Sequence, residues 1–299
     1  MWFNVILISI VKVGILIINK DNKPEISIVM SVYKESYEGI NRAIRSILNQ
    51  TFQNFEFILV NDNPKCLQTR KALEVISKKD NRIKVITNDL NRGLGYSLNA
   101  AIQKSNANII ARMDTEDQSK PDRLAKQFFF MKTNIQVDLL FTQWVDIDEL
   151  AQTVIRQPSK KDFKNIRKSF FTKSLLMHPT LMARKKVLLD NPYKEMDRPE
   201  DIVLWIKLIR KQYVFDIIEE PLYMYQVNRI NKSERYSKTK IGSRNLLPHL
   251  FIESRHYWSN LYFWFFFCRI IFEYLISRNI YVFNCTHAPA VLLWKLLFK

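Results

Sequence analysis

Glycine is scarce in this sequence, and the placing of the few glycines excludes two common phosphate-binding motifs. Five glycines occur among 299 residues. Gly93 and Gly95 are separated by one residue, and Leu98 stands where a GxGxxG fingerprint would have its third glycine. The chain holds no P-loop motif either. A phosphate group would therefore have to be bound by other means.

Cysteine is also scarce. The three cysteines, Cys66, Cys268 and Cys285, are odd in number, widely spaced and without CxxC spacing. This pattern excludes a disulfide framework and a cysteine-rich zinc site. We therefore expect a reducing, cytoplasmic setting.

Acidic residues are outnumbered. The 46 Lys and Arg against 29 Asp and Glu give a formal charge of +17, which predicts an anionic partner such as nucleic acid, a phosphorylated ligand or an anionic membrane face. A nucleic-acid-binding protein would interleave aromatics with Lys and Arg on one face. Here the aromatics cluster in apolar blocks, so we expect no nucleic acid.

Long apolar runs occur near both ends. Residues 1–18 form a hydrophobic segment interrupted by Lys12, with no basic region before it and no small-residue cleavage site after it. This pattern favours an anchor or a membrane-lying helix over a signal peptide. The aromatic-rich run at 257–277 contains Asn260, Arg269 and Glu273, which suits a helix lying in the membrane interface better than a spanning one.

The flank of that aromatic run is basic. Between 229 and 299 there are 11 Lys and Arg against 3 acids, as on a surface that faces anionic cytoplasmic lipid. The alternative is a buried hydrophobic helix with a solvated basic flank.

From residue 25 the sequence alternates strand-like runs with segments of helical period. This alternation predicts an α/β fold with a Rossmann-like, mainly parallel sheet and ligands at the carboxyl ends of its strands. We expect strands at 25–33, 55–62, 82–87, 108–114 and 137–142, and helices at 38–50, 66–79, 95–105 and from Pro121. The expected regions are a hydrophobic segment (1–20), a first half (25–145), a second half (146–235) and a basic, aromatic membrane-associated tail (236–299).

Polar residues recur where the predicted strands end. They are Tyr33 with Glu35, Asp62, Asn88 with Asp89, and Asp114. Neighbouring parallel strands lie about 4.8 Å apart, so these side chains can converge on one acidic crevice. Any one of them alone would more often be the N-cap of the following helix.

Asp114 and Glu116 form a carboxylate-x-carboxylate pair at the end of the fourth strand. Mg²⁺ and Mn²⁺ favour such oxygen ligands, with water and substrate phosphate completing the coordination shell. A bound cation could hold a diphosphate in place of a glycine-rich loop. Asp117 is either a further ligand or the cap of the helix that opens near Pro121, and we expect it to cap that helix.

Several segments together resemble the inverting nucleotide-sugar glycosyltransferases of family 2, which have a GT-A fold. In the first half these segments are ISIVMSVYKE (26–35), SILNQTFQNFEFILVND (46–62), NRGLGYSLNAAI (91–102) and ARMDTEDQSKPDRLAKQ (111–127). Further on they are HPTLMARKKVL (178–188), RPEDIVLWIKLI (198–209) and YMYQVNRINKS (223–233). The sequence departs from the family pattern in two places: Glu116 replaces the usual Asp, and VNDNPKC replaces the commoner D-G-S-x-D after the second strand.

The resemblance implies that 25–145 is the nucleotide-sugar-binding half and 146–235 the acceptor-binding half, and it implies roles for individual residues. It implies nucleoside contacts from Tyr33, Glu35 and Asp62, a place for Arg92 beside the diphosphate or base, ribose or metal contact by Asp114, and metal contact by Glu116. It also implies that Asp201 is the general base, which deprotonates an acceptor hydroxyl so that the reaction inverts the anomeric centre.

The sequence around Asp201 agrees with that role. Pro199 suits the first turn of a helix, where the dipole would stabilise Glu200 and Asp201 as anions, and a base must be ionised. The alternative is that both are only favourable first-turn acids. His178 and Glu200 are candidates for contacting the acceptor, and Trp205 either stacks on an acceptor sugar or fills the core, with the core favoured.

We therefore expect a metal-dependent glycosyltransferase that uses Mn²⁺ or Mg²⁺ and a nucleotide diphosphate sugar. The expected acceptor is a glycan or lipid-linked oligosaccharide, reached from the cytoplasmic face of a bacterial membrane. One alternative is a nucleotidyltransferase, for which the glycine-rich phosphate loop is missing and Asp201 would have no role. A second is a basic nucleic-acid-binding protein, which would bind in a strongly salt-dependent way.

Overall fold

The computed structural model describes residues 23–147, 152–153, 157–172, 176–195, 199–227, 244–257 and 259–276. The predicted N-terminal segment at 1–20 lies outside the described residues. So do 277–299, the end of the predicted membrane-associated tail.

The first half of the chain forms four parallel strands with helices between them. The strands are β1 (Ile26–Val32), β2 (Phe55–Asn61), β3 (Ile83–Thr87) and β4 (Ile109–Arg112), in the order β3-β2-β1-β4. The helices are α1 (Tyr37–Leu48), α2 (Leu67–Ser77), α3 (Leu94–Lys104) and α4 (Arg123–Thr133). The predicted α/β class is confirmed.

Local sequence explains these elements. Every residue of β2 is buried, as expected for a strand covered on both faces of a parallel sheet. In α1 the hydroxyl of Ser36 caps the helix by accepting the N–H of Gly39 at 3.1 Å. The predicted apolar face of this helix is confirmed, because Ile40, Ala43, Ile44 and Ile47 are buried.

The second half extends the same sheet. Its strands are β5 (Gln118–Ser119), β6 (Leu139–Ile147), β7 (Gln152–Thr153), β8 (Met182–Arg184) and β9 (Phe215–Gln226). Its helices are α5 (Lys160–Lys164), α6 (Ile166–Thr172), α7 (Lys185–Asp190), α8 (Glu200–Arg210), α9 (244–254) and α10 (Leu261–Ile276). Six of the nine described strands (β1, β2, β3, β4, β6 and β9) run in one direction, so the sheet is mainly parallel.

Strand β8 runs antiparallel between β4 and β6. The sequence predicted a strand at 137–142 that continues the sheet, and β6 does so, but as the neighbour of β8 and not of β4. A single sheet thus crosses the boundary at residue 145 that the sequence suggested between donor and acceptor halves.

The amino-terminal edge of the parallel strands is fastened by a buried carboxylate. Glu56, near the start of β2, accepts hydrogen bonds from Ser27 (2.5 Å), Lys84 (2.7 Å) and both nitrogens of Asn106 (2.5 and 2.8 Å). Burial alone would raise the pKa of Glu56, but the ammonium of Lys84, the Ser27 hydroxyl and the Asn106 donors outweigh it and lower that pKa. The carboxylate therefore joins three strands and the β4 entry segment.

The C-terminal helices pack on the second half. Phe263, Phe266 and Ile270 of α10 are buried in a cluster that includes Phe171 of α6. The predicted interfacial helix thus covers protein with one face, while Leu261 at its start is 63 % exposed. Among the residues that the structure describes, no helix combines the length and apolarity needed to cross a membrane.

Candidate active site

The carboxyl-terminal edge of the parallel strands brings several predicted site residues together. Asp62, directly after β2, is buried and its oxygens accept three hydrogen bonds: from the Asn88 side chain (2.7 Å) and from the N–H groups of Arg92 (2.8 Å) and Gly93 (2.9 Å). These bonds fix the 91–93 loop against the sheet. Contact of Asp62 with a nucleoside stays a prediction.

The 91–93 loop, which Asp62 holds, carries an arginine at the carboxyl-terminal ends of the parallel strands. Arg92 is exposed, and its guanidinium lies 4.4 Å from the centre of the Tyr96 ring. Gly93 has φ +84°, a left-handed conformation that glycine adopts without strain, and α3 begins at the next residue. Arg92 is thereby displayed at a helix N-terminus, which is a favourable place for an anion.

The end of β1 is organised by local hydrogen bonds. The carboxylate of Glu35 accepts from the N–H of Tyr33 at 2.7 Å, and the Asn63 side chain donates to the Tyr33 carbonyl at 2.9 Å. The ammonium of Lys34 lies 4.9 Å from the centre of the Tyr33 ring. Tyr33 and Glu35 therefore lie at the same edge as Asp62, as predicted.

At the end of β4, the side chain of Arg112 is only 3 % exposed. It forms a two-point ion pair with Asp114, in which Nη1 lies 2.8 Å from Oδ2 and Nη2 lies 2.5 Å from Oδ1. Burial lowers the pKa of Arg112, but the negative charge of Asp114 outweighs it and leaves that pKa raised. The guanidinium therefore stays charged. Arg112 has no role in the sequence-based predictions, although a lone arginine in an apolar strand indicates a buried cation that needs a partner.

Glu116 lies in the turn after Asp114 with φ +72°. Its carbonyl accepts from the guanidinium of Arg42 at 3.2 and 3.3 Å. Its side chain runs over Gly39 of α1, where an added Cβ would lie 2.7 Å from the Glu116 Cγ. The absence of a side chain at Gly39 is thus what lets this carboxylate approach the start of α1.

Asp117 does not cap the next helix, and that prediction is wrong. The N-cap of α4 is Asp122, whereas the buried carboxylate of Asp117 accepts from the Tyr223 hydroxyl and the N–H of Gln226, both at 2.8 Å. Burial, with the nearby charge of Asp114, raises the pKa of Asp117 to about 8. Asp117 ties the 114–117 turn to β9, a partner strand a hundred residues away that no local pattern reveals.

Asp201 lies in the first turn of α8, as predicted. Its Oδ1 accepts from the N–H of Ile202 at 2.8 Å. Burial raises the pKa of Asp201, and the N–H of Ile202 and the charge of Arg112 partly offset that rise. A carboxylate with a raised pKa is a stronger base than an ordinary aspartate.

His178 stands beside Asp201 in a short 3₁₀ turn, His178–Thr180, that precedes β8. Its Nε2 is 2.8 Å from the Tyr193 hydroxyl, and its Nδ1 is 4.0 Å from Oδ2 of Asp201. His178 is only 6 % exposed. Burial, assisted by the charge of Arg112, lowers the pKa of His178 well below its usual range, so the ring is neutral.

Two predicted acceptor contacts lie inside the protein. Trp205 is 1 % exposed and meets Phe141 edge-on, with ring centres 5.5 Å apart, so it fills the core and does not present a stacking surface. Glu200 is also buried, at 6 % exposure. The burial of both side chains leaves little exposed surface for contact with an acceptor sugar.

Comparison with known proteins identifies the family. The profile of Glycosyl transferase family 2 matches residues 27–191, which include nearly all of β1, the whole of β2, β3 and β4, the Arg112–Asp114 pair and His178. The chain belongs to glycosyl transferase family 2.

Relatives support the assignment along most of the chain. An uncharacterized glycosyltransferase of Methanocaldococcus jannaschii is 36 % identical over 266 residues, which cover 87 % of this chain and 92 % of that protein. The O-antigen biosynthesis glycosyltransferase WbnJ of Escherichia coli is 33 % identical over 216 residues, which cover 71 % of this chain and 82 % of WbnJ. This family 2 glycosyltransferase therefore has relatives in polysaccharide biosynthesis.

Solved structures share the fold. The mannosyltransferase PcManGT of Pyrobaculum calidifontis, in complex with GDP-Man and Mn²⁺, aligns with a TM-score of 0.60 at 14 % identity and covers 92 % of this chain and 79 % of its own. S. aureus TarS 1-349 in complex with UDP-GlcNAc aligns with a TM-score of 0.57 at 15 % identity, and the alignment covers 85 % of this chain and 81 % of TarS 1-349. At this identity the likeness shows the GT-A-like fold alone.

A cation at this turn would need oxygen ligands from a substrate as well as from the protein. Within the described ranges, no three His, Cys, Asp or Glu side chains are arranged to hold a metal among themselves. Asp114, 36 % exposed, and Glu116 offer two carboxylates in one turn. Mg²⁺ and related cations are held in that way, by one or two carboxylates with water and substrate phosphates.

A second buried arginine supports the turn from behind. Arg123 is fully buried and donates to the carbonyls of Arg112 (2.8 Å) and Pro179 (3.0 Å), to the Ser119 hydroxyl (2.8 Å) and to Gln127 (3.0 Å). Burial lowers the pKa of Arg123 to about 10. Arg123 joins the end of β4 to the turn that carries His178, which gives a structural role to PDRLAKQ (121–127) in the family-like segment 111–127.

Proposed function

We propose that the chain is an inverting glycosyltransferase that moves a sugar from a nucleotide diphosphate sugar to a glycan acceptor in surface polysaccharide biosynthesis. The observation that carries the proposal is the placing of Asp201. Its carboxylate has a raised pKa and lies in the electrostatic field of both Arg112 and Asp114, at the edge where the parallel strands end. Relatives that act in O-antigen and amylovoran biosynthesis support the acceptor class.

The reaction follows from that arrangement. Asp201 takes the proton of an acceptor hydroxyl while the oxygen attacks the anomeric carbon from the face opposite the nucleotide. The bond from that carbon to the diphosphate oxygen breaks, the nucleoside diphosphate leaves with the electron pair, and the configuration inverts. A base of this kind contributes about 10²- to 10⁴-fold in rate, and holding the two substrates together contributes a further large share.

On the donor side, we assign Tyr33, Glu35 and Asp62 to the nucleoside edge and Arg92 to the diphosphate. Asp114 and Glu116 are the residues that would hold Mn²⁺ or Mg²⁺, and the cation would neutralise charge on the leaving diphosphate. At the same turn Arg112 is buried, charged and paired with Asp114.

We assign the acceptor to lipid-linked glycans at the cytoplasmic face of a membrane. Phe251 and Ile252 of α9 and Leu261 of α10 are 68 %, 60 % and 63 % exposed, and Arg244 and Arg255 beside them are exposed as well. Apolar and basic residues together suit an anionic lipid surface. The full chain should sediment with vesicles that contain phosphatidylglycerol, and F251S/I252S/L261S should not; equal sedimentation of both proteins would remove this surface from the proposal.

The donor part is tested by ligand-induced stabilisation. UDP- and GDP-sugars are added singly to the purified chain with Mn²⁺ or with EDTA, and the melting temperature is recorded. We expect at least one nucleotide sugar to raise it in Mn²⁺ and to do so less in EDTA, because a ligand that binds only the folded state stabilises it. If no nucleotide sugar stabilises the protein with Mn²⁺, the proposed function is wrong.

A further inference from the structure

His178 is only 6 % exposed and stands directly beside the proposed base, with its Nδ1 4.0 Å from Oδ2 of Asp201. We propose that His178 is a positioning residue that orients the carboxylate of Asp201, and that Tyr193 selects the ring tautomer which does so. The inference rests on the proposed function, because it explains how the base of that reaction is held.

The tautomer follows from what each ring nitrogen faces. Nδ1 points at Oδ2 of Asp201, 4.0 Å away, and an ionised carboxylate can only accept a hydrogen bond. Nε2 is 2.8 Å from the Tyr193 hydroxyl, which can donate. The arrangement that satisfies both neighbours places the ring proton on Nδ1, with Nε2 accepting from Tyr193.

The protonation states agree with this arrangement. Burial and the charge of Arg112 lower the pKa of His178, so the ring is neutral. Burial likewise raises the pKa of Tyr193, so its hydroxyl keeps the proton that it donates. A neutral N–H can orient Asp201 without supplying a full positive charge, which would lower the basicity of the carboxylate.

The carboxylate is then fixed from two sides. Oδ1 accepts from the N–H of Ile202 at 2.8 Å, and Oδ2 faces His178. The 4.0 Å gap exceeds hydrogen-bonding distance. Such contacts are often long before substrates bind and shorten in the reacting complex, so we infer that His178 and Asp201 close to a hydrogen bond when the acceptor is present.

The ring itself has little freedom. The Trp205 ring meets it edge-on, with centres 5.6 Å apart, and Tyr193 lies on another side at 5.3 Å. Tyr193 is in turn held by Asn99 of α3, which exchanges two hydrogen bonds of 2.9 Å with the Tyr193 backbone. Asp201 is thereby connected, through His178 and Tyr193, to Asn99 of α3, the helix that follows the 91–93 loop.

Tyr193→Phe is the sharpest single test because it deletes one hydroxyl. We expect kcat for transfer to fall about tenfold, the worth of one buried hydrogen bond, with KM for donor and acceptor close to wild type and a melting temperature lower by a few degrees because Nε2 loses its buried partner. The matched control is Tyr213→Phe, which deletes a hydroxyl that accepts from Asn191 at 3.1 Å and should leave kcat unchanged. Equal kcat in Tyr193→Phe and wild type would overturn the inference.

Two replacements of His178 separate its nitrogens. An asparagine amide can occupy the position of Nδ1 and a glutamine amide that of Nε2. We expect His178→Asn to retain more transfer than His178→Gln, since only Asn keeps a donor toward Asp201. Equal losses, or the reverse order, would show that His178 serves packing alone.

The tautomer can be read without any substrate. The chain has four histidines, and ¹⁵N-edited NMR of the full-length protein, with His178→Asn to assign its signals, distinguishes the Nδ1–H from the Nε2–H form. The Nδ1–H form is expected, and the Nε2–H form would overturn the inference. This result stands apart from the donor test, so failure of the proposed function and failure of the positioning role are separately visible.

Discussion

Glu56 and Asp201 lie at opposite edges of one sheet, and the surroundings of the two carboxylates differ. Glu56, at the amino-terminal edge, collects donors from three other segments, and its pKa is lowered. Asp201, at the carboxyl-terminal edge, accepts from the adjacent N–H of Ile202, and burial raises its pKa. Satisfied buried carboxylates stabilise a fold, whereas a carboxylate that must react is held in a less favourable state.

Replacing Asp201 tests this contrast with the largest effect. In Asp201→Asn we expect transfer to fall about 10²- to 10⁴-fold, because the base is lost, while donor binding stays near wild type. The free energy of unfolding at pH 7 should rise, since a carboxyl with a raised pKa is destabilising once it ionises. Radiolabelled sugar transfer, donor titration and urea denaturation measure the three quantities; retained transfer would remove Asp201 from its role.

Asp114 combines a structural and a functional role. It is a proposed metal ligand and also the ion-pair partner of the buried Arg112. Asp114→Asn leaves Arg112 without its counter-charge and should lower the free energy of unfolding by about 2–3 kcal/mol, as for a broken buried ion pair. Glu116→Gln is the matched control because it removes the other proposed metal ligand and keeps that ion pair. Both should lose Mn²⁺-dependent donor binding, but urea denaturation should show a large loss of stability for Asp114→Asn only.

Glu56 should show the opposite signature to Asp201. In Glu56→Gln the new amide group faces the donors of Lys84 and Asn106, so we expect a loss of about 2 kcal/mol in the free energy of unfolding. The rate of transfer per folded molecule should stay near wild type, because the site lies at the other edge. A large loss of transfer at unchanged donor affinity would contradict the separation of the two edges.

The pH dependence of the free energy of unfolding provides a second test of Glu56. The pKa of Glu56 is lower in the folded state than in the unfolded state, so its contribution is complete above the unfolded value of 4.5 and is lost as the pH falls through the folded pKa. Wild-type stability should therefore fall on acidification below pH 4.5. Glu56→Gln should show a shallower fall when both are denatured with urea at stepped pH.

The smallest effect concerns the contact that links the two halves. At Gly95 an added Cβ would lie 2.6 Å from the Lys194 carbonyl oxygen, so Gly95→Ala should cost about 1–2 kcal/mol through overpacking and displace Tyr193. Gly93→Ala has open space around its Cβ but a left-handed φ, and should cost about 1 kcal/mol. We expect reduced kcat in the first and weakened donor binding in the second, and equal kinetic defects would contradict the distinction.

The sequence predicted those parts of the molecule that local pattern controls. The strand runs, the apolar face of α1 and the first-turn position of Asp201 follow from periodicity and helix-start residues, and the structure agrees. Asp117, Tyr193 and Tyr223 could not be placed, because their partners lie 15 to 109 residues away in the chain. Arg112 left a signal, an arginine inside an apolar strand, whose partner only the turn geometry identifies.

Strand β8 has a consequence for how this protein can be divided. It is three residues long, yet it pairs with β4 on one side and β6 on the other, so a cut near residue 145 would strip the middle of the sheet and leave β4 with an open edge. Donor and acceptor halves exchanged between relatives at that point would carry unpaired strands, which are prone to aggregate. To change the substrate specificity of this chain, exchanging the loops at the carboxyl-terminal ends of the strands should disturb folding less than exchanging whole halves.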